Sequence, residues 1–515
     1  MTIYYVVGKI PTMSYIRKRK KNGKIYLEEV ESVRVDGRVV QKHIRYIGKE
    51  TDNKTILSSS ISNLSIDKVK LHGPLLVLNY FCEKIGLSNI LGEYGDELLS
   101  LVFAHCIDYK SVNQMTSWFK RTDLNMILDL ENLTEDRVLK ALDSIHDEES
   151  IERIQNEIFK KIQLNYEIDP AGVIYDVTNT YLYGKKCLFG KFGKSKDKVK
   201  GRPLIQIGLG VSKENGIPIF HKTFNGNISD SRTLNDLITM FEKYQIASGI
   251  IIYDRGITSG NNIKHVKNLE WDTICGLSSN NVLKEIARSI VSENKLTNMK
   301  KRIKLNNSVF YVFSQKHKIE NIKGTLLVCY NEQKAKDLRE SRYDEIKNAK
   351  ELKKNGEEIK SGLKKYFHRN GSINYKFIYK EEELDGFSFI FSTKKISSDE
   401  IMKLYFHDKD IIEKAFQSLK GVIKVRPIRH WLYNRVRSHI FICYLSYLLL
   451  SLLKLSLKKI KMSPVKALRE LDSLYKVYVR DTKKGFKLSR TVALTKIQEK
   501  ILKTIDKKLL ATCSG

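Results

Sequence analysis

The chain has 515 residues, and 91 Lys and Arg against 59 Asp and Glu leave a formal net charge of +32, with 42% hydrophobic and 10% aromatic residues. That apolar fraction excludes a disordered polycation, and at about 100–200 residues per domain the length allows two to four domains with real cores. The cationic surplus points to a polyanion, nucleic acid first and an anionic membrane surface second, because neutralised phosphates release their counterions.

In chain order, the opening Met1–Lys9 carries no basic stretch, apolar core or small-residue cleavage site, so no secretory signal is expected. Residues 1–50 predict a basic β-meander, with β-branched and aromatic runs around Asn22-Gly23 and Asp36-Gly37, dipeptides that favour two-residue hairpin turns. Its first strand carries Arg17, Lys18, Arg19, Lys20 and Lys21 in succession. This reads evenly as a DNA-binding module, with Arg17, Arg19 and Lys20 on phosphates, or as a solvated hairpin edge guarded by lysines. Residues 51–67, with Ser58-Ser59-Ser60, read as a linker. Leu75, Leu78, Phe81 and Ile85 open a helically spaced stretch over 68–167, expected to be a helical, DNA-binding domain.

Past 168, short apolar runs bounded by Gly, Asn and Asp alternate with helical ones, the pattern of an α/β core. Its first part is 168–280, with strands expected at Gly172–Thr178, Pro203–Val211, Gly216–Thr223 and Gly249–Tyr253 and a helix over Ser231–Tyr244 capped by Asp230. An insertion follows over 281–383, where the strand-like runs Val309–Ser314, Thr325–Tyr330 and Asn374–Tyr379 surround a lysine-rich, helical segment. The core resumes over 384–457. Its uncharged run Ile440–Leu453 spans 14 residues, short of the roughly 20 needed to cross a bilayer, and reads as a buried helix with no membrane partner. Residues 458–515 read as a basic helical tail that pairs subunits or holds DNA ends. The seven cysteines, 82, 106, 187, 275, 329, 443 and 513, show no C-x-x-C pair, which argues against a zinc framework or disulfide scaffold and for a reducing compartment.

Three acids carry the chemistry. Tyr175-Asp176 and Tyr253-Asp254 end two apolar strands, where a charge is costly without a partner or a task. In Asp408–Lys420, apolar Ile412, Ala415, Phe416 and Leu419 mark one helix face, while Lys409, Glu413 and Lys420 share another. An isolated Lys409–Glu413 pair would be a surface salt bridge worth about 0.3–0.5 kcal/mol. Two strand aspartates and a helix glutamate together supply the hard oxygen ligands of two-metal phosphoryl transfer, with Mg²⁺ or Mn²⁺ held by Asp176, Asp254 and Glu413 and Asp176 bridging. His407, beside this set, reads as a phosphate contact or a surface residue.

These motifs resemble the DDE transposases of bacterial insertion sequences, in the IS-four-like group, along nearly the whole chain. The matching segments are Tyr175–Thr178, Gly201-Arg202-Pro203, Phe224–Asp230, Asp254–Ser259, Asp385-Gly386-Phe387 and Arg426-Pro427. The Tyr-x2-Arg-x3-Glu-x6-Lys signature reads Phe406, Lys409, Glu413 and Lys420, so Phe replaces Tyr and Lys replaces Arg. Tyr405 lies one place earlier, on another face. The resemblance implies a multidomain α+β protein with a ribonuclease H-like α/β core and a β-rich insertion that helps form hairpin DNA. It also implies a homodimer on double-stranded DNA, with Phe406, His407, Lys409, Lys420 and Arg255 on the DNA. The implied activity is cut-and-paste transposition of an element with terminal inverted repeats, in the bacterial cytoplasm at the nucleoid. A nuclease that cuts without joining and an inactive DNA-binding regulator stand as alternatives.

Overall fold

The computed structural model describes residues 14–513 except 36–37, 52–53, 58–62, 146, 167, 169–171, 185, 194, 198, 200, 245, 247, 294–295, 306, 484 and 486. Strands β1 (Ser14–Lys21), β2 (Lys24–Val35), β3 (Arg38–Thr51) and β4 (Lys54–Leu57) form an antiparallel sheet in that order. Asn22 and Gly23, at φ of 50° and 73°, close its first hairpin, the doubly left-handed turn whose twist matches the flanking strands. The other expected turn, Asp36-Gly37, and the Ser58-Ser59-Ser60 stretch lie outside the described residues. The segment expected to be a linker instead supplies β4 and the start of β5 (Leu64–Leu71). Strand β5 finds its hydrogen-bond partner in Tyr475–Asp481, near the other end of the chain. It is mostly exposed, and its alternation of Leu64, Ile66, Val69 and Leu71 with polar residues suits a strand of that kind.

The largest sheet has nine strands. Strands β6 (Gly172–Tyr181), β7 (Leu204–Ser212) and β8 (Pro218–Asn225) form an antiparallel meander, and β9 (Ile250–Tyr253) and β10 (Asp272–Leu277) run parallel to β6 on its other side. Beyond β10 come β11 (Arg302–Leu305), β12 (Ser308–Ile319), β13 (Ile322–Tyr330) and β14 (Phe387–Ser392), giving the order β11-β12-β13-β14-β10-β9-β6-β7-β8. Because β14 bonds both β10 and β13, the inserted strands lengthen the core sheet. Side chains alternate between the two faces. Val173, Tyr175, Val177 and Ile251 pack with Leu234, Phe241 and Ile263 on one face, while Ile174 and Ile252 point to the other. Across β6, β9 and β10 lies the helix Ser398–Gly421, started by Ser397, whose side chain accepts the Glu400 N–H.

Three expected elements change type or place. Asn374–Tyr379, rich in β-formers, lies mostly in the helix Tyr375–Glu382, because Asn374 caps the Phe377 N–H and Ile378 packs against Ile346 and Ala349 of the helix Glu332–Lys354. The helix expected from Ser231 begins at Leu234, after a 3-10 turn over Asp230–Thr233. The tail is not wholly helical: β15 (Tyr475–Asp481) and β16 (Lys487–Thr491) form a hairpin that joins β5 in the order β16-β15-β5. The aromatic and β-branched run Tyr475-Lys476-Val477-Tyr478-Val479 suits a half-exposed strand. The remaining tail helices bury Leu468, Leu471, Ile501 and Leu502 in the main hydrophobic core.

That core is organised by the helix Tyr433–Ser456, in which every residue from Val436 to Leu453 is buried. It is longer than its uncharged run and by length and composition could cross a bilayer, but 83% of its most apolar window is buried inside the protein. It packs against the helices Gly95–Ile107 and Glu135–Ser144, strand β8 and the Ser398–Gly421 helix. One apolar cluster therefore runs from Leu75 in the helical layer, through this helix, to Leu509 in the tail.

Candidate active site

The last register pair of β6 and β9 is Tyr175 with Tyr253. Asp176 and Asp254 are the next positions outward, on neighbouring chains about 4.8 Å apart, and alternation turns both toward the Ser398–Gly421 helix. They meet there Tyr405, Lys409 and Ile412, which line the same small pocket. Tyr405, Lys409 and Glu413 recur every four residues and so form one stripe. Lys409 Nζ stands 3.1 Å from Asp254 Oδ2 and 4.0 Å from Glu413 Oε1. The Tyr405 hydroxyl donates to Asp254 Oδ1 at 3.1 Å, and the Arg255 backbone N–H donates to the same oxygen at 2.8 Å. Gly276 makes room for this arrangement: a Cβ there would sit 2.3 Å from the Tyr405 hydroxyl oxygen.

The two aspartates differ in charge. Desolvation pushes Asp176 up to about 6, helped by the neighbouring Asp254 charge and only partly opposed by Lys196 and the Val177 N–H. Burial also pushes Asp254 upward, but Lys409, the Arg255 N–H and the Tyr405 hydroxyl outweigh it and hold that carboxyl below its ordinary range. Lys196, on the loop between β6 and β7, bonds the Val177 carbonyl and pairs with Asp230 at 3.1 Å. Asp254 and Glu413 thus flank one ammonium, and Asp176 lines the same pocket as Asp254 and Lys409. The all-oxygen donor set of Asp176, Asp254 and Glu413 fits a hard divalent ion.

Beside Asp254 opens a cleft of about 530 Å³ lined by Arg255, Lys334, Phe310, Phe406 and Lys409 among others. The Phe406 ring lies 4.7 Å from that of Phe310. Lys334 is pushed down first by burial and then by the like charges of Arg255 and Lys409. Other expected DNA contacts are placed elsewhere. Lys420, whose side chain is only 13% exposed, pairs with Asp197 at 3.1 Å beside Arg426, which reaches Asp197 at 2.5 Å. His407 is exposed, bonds Asp408 Oδ1 at 3.1 Å and lines a different pocket. Arg17 and Arg19 reach Glu28 at 2.8 and 3.8 Å, while Lys20 is exposed on the N-terminal sheet. Tyr405, expected on another face, shares the face of Lys409. Its four-residue spacing to Lys409 and Glu413 was the available signal, as the lysine-rich segment was for Lys334, whereas Lys196 had none.

Residues 167–449 match the family model of the transposase DDE domain. No curated protein matches the chain. Among solved structures, a cryo-EM structure of the piggyBac transposase synaptic complex with hairpin DNA is similar, with 11% sequence identity and a TM-score of 0.42, covering 86% of this chain and 84% of that chain.

Proposed function

The chain belongs to the transposase DDE domain family, and from that premise we propose that it is the transposase of a bacterial insertion element of the IS-four-like group. On this reading it binds the element's terminal inverted repeats, cleaves the DNA at each end and joins the freed 3′ ends to target DNA. The observation that carries it is the convergence of Asp176, Asp254 and Glu413 on Lys409, with a cationic cleft alongside. The strand order β8-β7-β6-β9-β10, three antiparallel strands and two parallel ones, supports a ribonuclease H-like core.

Asp176, Asp254 and Glu413 would hold Mg²⁺, with Mn²⁺ as a substitute, and the bound ions would supply an acidified nucleophile and charge neutralisation at the phosphate. The protein's own groups do the positioning. Tyr405 and the Arg255 N–H fix Asp254 through Oδ1 and leave Oδ2 to Lys409. Lys409, which lines the cleft beside Asp254, would meet a phosphate there as a point charge. Arg255 and Lys334 extend that contact along the cleft, and Phe406, backed by Phe310, offers a ring for a base to stack on.

Residues 1–50 and 68–167 are assigned to DNA binding, 168–280 and 384–457 to the two parts of the core, 281–383 to the insertion and 458–515 to the tail. Two ends must meet in one complex, so a homodimer on DNA at the nucleoid is the working assembly. The test is a strand-transfer assay with the repeats that flank the gene. Joined products in Mg²⁺ are expected; cleaved ends that never join would leave a nuclease, and binding without cleavage would leave a regulator.

A further inference from the structure

We propose a second metal site, separate from the three acids: a transition-metal centre of Zn²⁺ type built from His105, His439 and Cys443. His105 lies on the helix Gly95–Ile107, and His439 and Cys443 lie four residues apart on one face of the Tyr433–Ser456 helix. They are 4%, 5% and 0% exposed, deep in a core of Leu, Ile and Val. Their ligand atoms all lie within 4.8 Å of one another. Cys443 Sγ is 3.9 Å from His105 Nδ1 and 3.9 Å from His439 Nε2. In a tetrahedral zinc site, bond lengths of about 2.0–2.1 Å to nitrogen and 2.3 Å to sulfur place N and S roughly 3.6 Å apart. Both nitrogen–sulfur separations are therefore within a few tenths of an ångström of that value.

The surroundings supply what a site needs. His105 and His439 line a cavity of about 410 Å³ that also reaches His430, whose ring lies 5.6 Å from that of His439. This cavity gives the ion an entry path. Without metal, His105 Nδ1 faces the Ile423 carbonyl at 2.5 Å and His439 Nε2 faces that of Val425 at 3.3 Å. Binding exchanges those two hydrogen bonds for two nitrogen–metal bonds: in each ring the proton shifts from the nitrogen that faced the carbonyl to the other ring nitrogen, and the Cys443 proton leaves to solvent as the sulfur becomes a thiolate ligand. A mixed nitrogen and sulfur donor set selects a borderline-soft ion and discriminates against Mg²⁺. Ile423 and Val425 belong to the turn directly after the helix that bears Glu413. A metal here fastens the helical layer to the apolar helix at the point where the Glu413 helix ends.

The test uses the full-length protein, stripped with chelator and titrated with Co²⁺ as a spectroscopic probe. One equivalent should bind with an intense thiolate-to-cobalt charge-transfer band, displaced by Zn²⁺, retained in Asp176→Asn and lost in Cys443→Ser. His439→Gln should weaken binding by about tenfold or more. A wild-type titration without that band overturns the proposal whether or not the variants fold. So does a cobalt spectrum that disappears in Asp176→Asn, because it would place the ion at the acids.

Discussion

Lys409 fills the space between Asp254 and Glu413 with positive charge, and its removal should show what it compensates. Lys409→Met leaves the carboxylates facing one another, so in chelator it should cost about 1 kcal/mol, a figure kept small because both partners are roughly a third exposed. Mg²⁺ should recover more stability in this variant than in the wild type; melts with and without Mg²⁺ check it, and equal recovery would show that Lys409 does not share the ion's place. Asp176 gives a pH dependence with a defined sign. Its pKa is about 6 in the fold against an ordinary 3.8, so between those values the folded state holds more protons than the unfolded one. Stability therefore falls as pH rises through this window, and the cost is complete above about 6. Asp176→Asn should stabilise the metal-free protein by about 1–2 kcal/mol at pH 7 and by little at pH 4; urea melts in chelator at both values check it, and an equal gain at both would contradict the shift. The aspartates were readable because a charge at the end of an apolar strand stands out. Tyr405 was not, because the family signature drew attention to Phe406 next to it.

The helix Ser398–Gly421 does two jobs along its length, and they separate by mutation. Near its centre Lys409 and Phe406 face the cleft, together with Arg255 and Lys334. At its end Lys420 is committed to Asp197 with Arg426. Lys334→Ala should therefore flatten the salt dependence of DNA binding by about one counterion, measured as the slope of log affinity against log salt. Lys420→Ala should leave that slope unchanged and lower the melting temperature, because Asp197 loses one of two partners in a partly buried site. A flattened slope for Lys420→Ala would return it to the DNA. At this scale the sequence was most legible where the period was strong, as in the charged helix at 332–354 and the strands of the core. It was least legible where pairing is non-local: nothing in the run 64–71 reveals a partner at 475–481. Likewise, the spacing of cysteines could not bring His105 to Cys443, which meet only when two distant helices pack.

The helical layer, the Tyr433–Ser456 helix and the tail are held by one core. Leu445, wholly buried at its middle, should cost about 2–5 kcal/mol as Leu445→Ala, with a single cooperative loss of structure followed by circular dichroism; a variant that melted in two steps would mean the layers fold independently. The surplus of +32 is not one uniform patch. Some of it is neutralised internally, as with Arg17, Lys18 and Arg19 on Glu28 and Glu50, and some is left open in the cleft beside Asp254. On the proposed function, that division reconciles a strongly basic protein with a set of acids beside the cleft: the cleft would attract the polyanion, and a divalent ion on the acids would let a phosphate approach. The most direct test compares wild type with Asp176→Asn on duplex carrying the element's ends. With Mg²⁺ present, the wild type should nick the ends and the variant should bind them with the same affinity but leave them intact; undiminished nicking by Asp176→Asn would contradict the assignment of the active site.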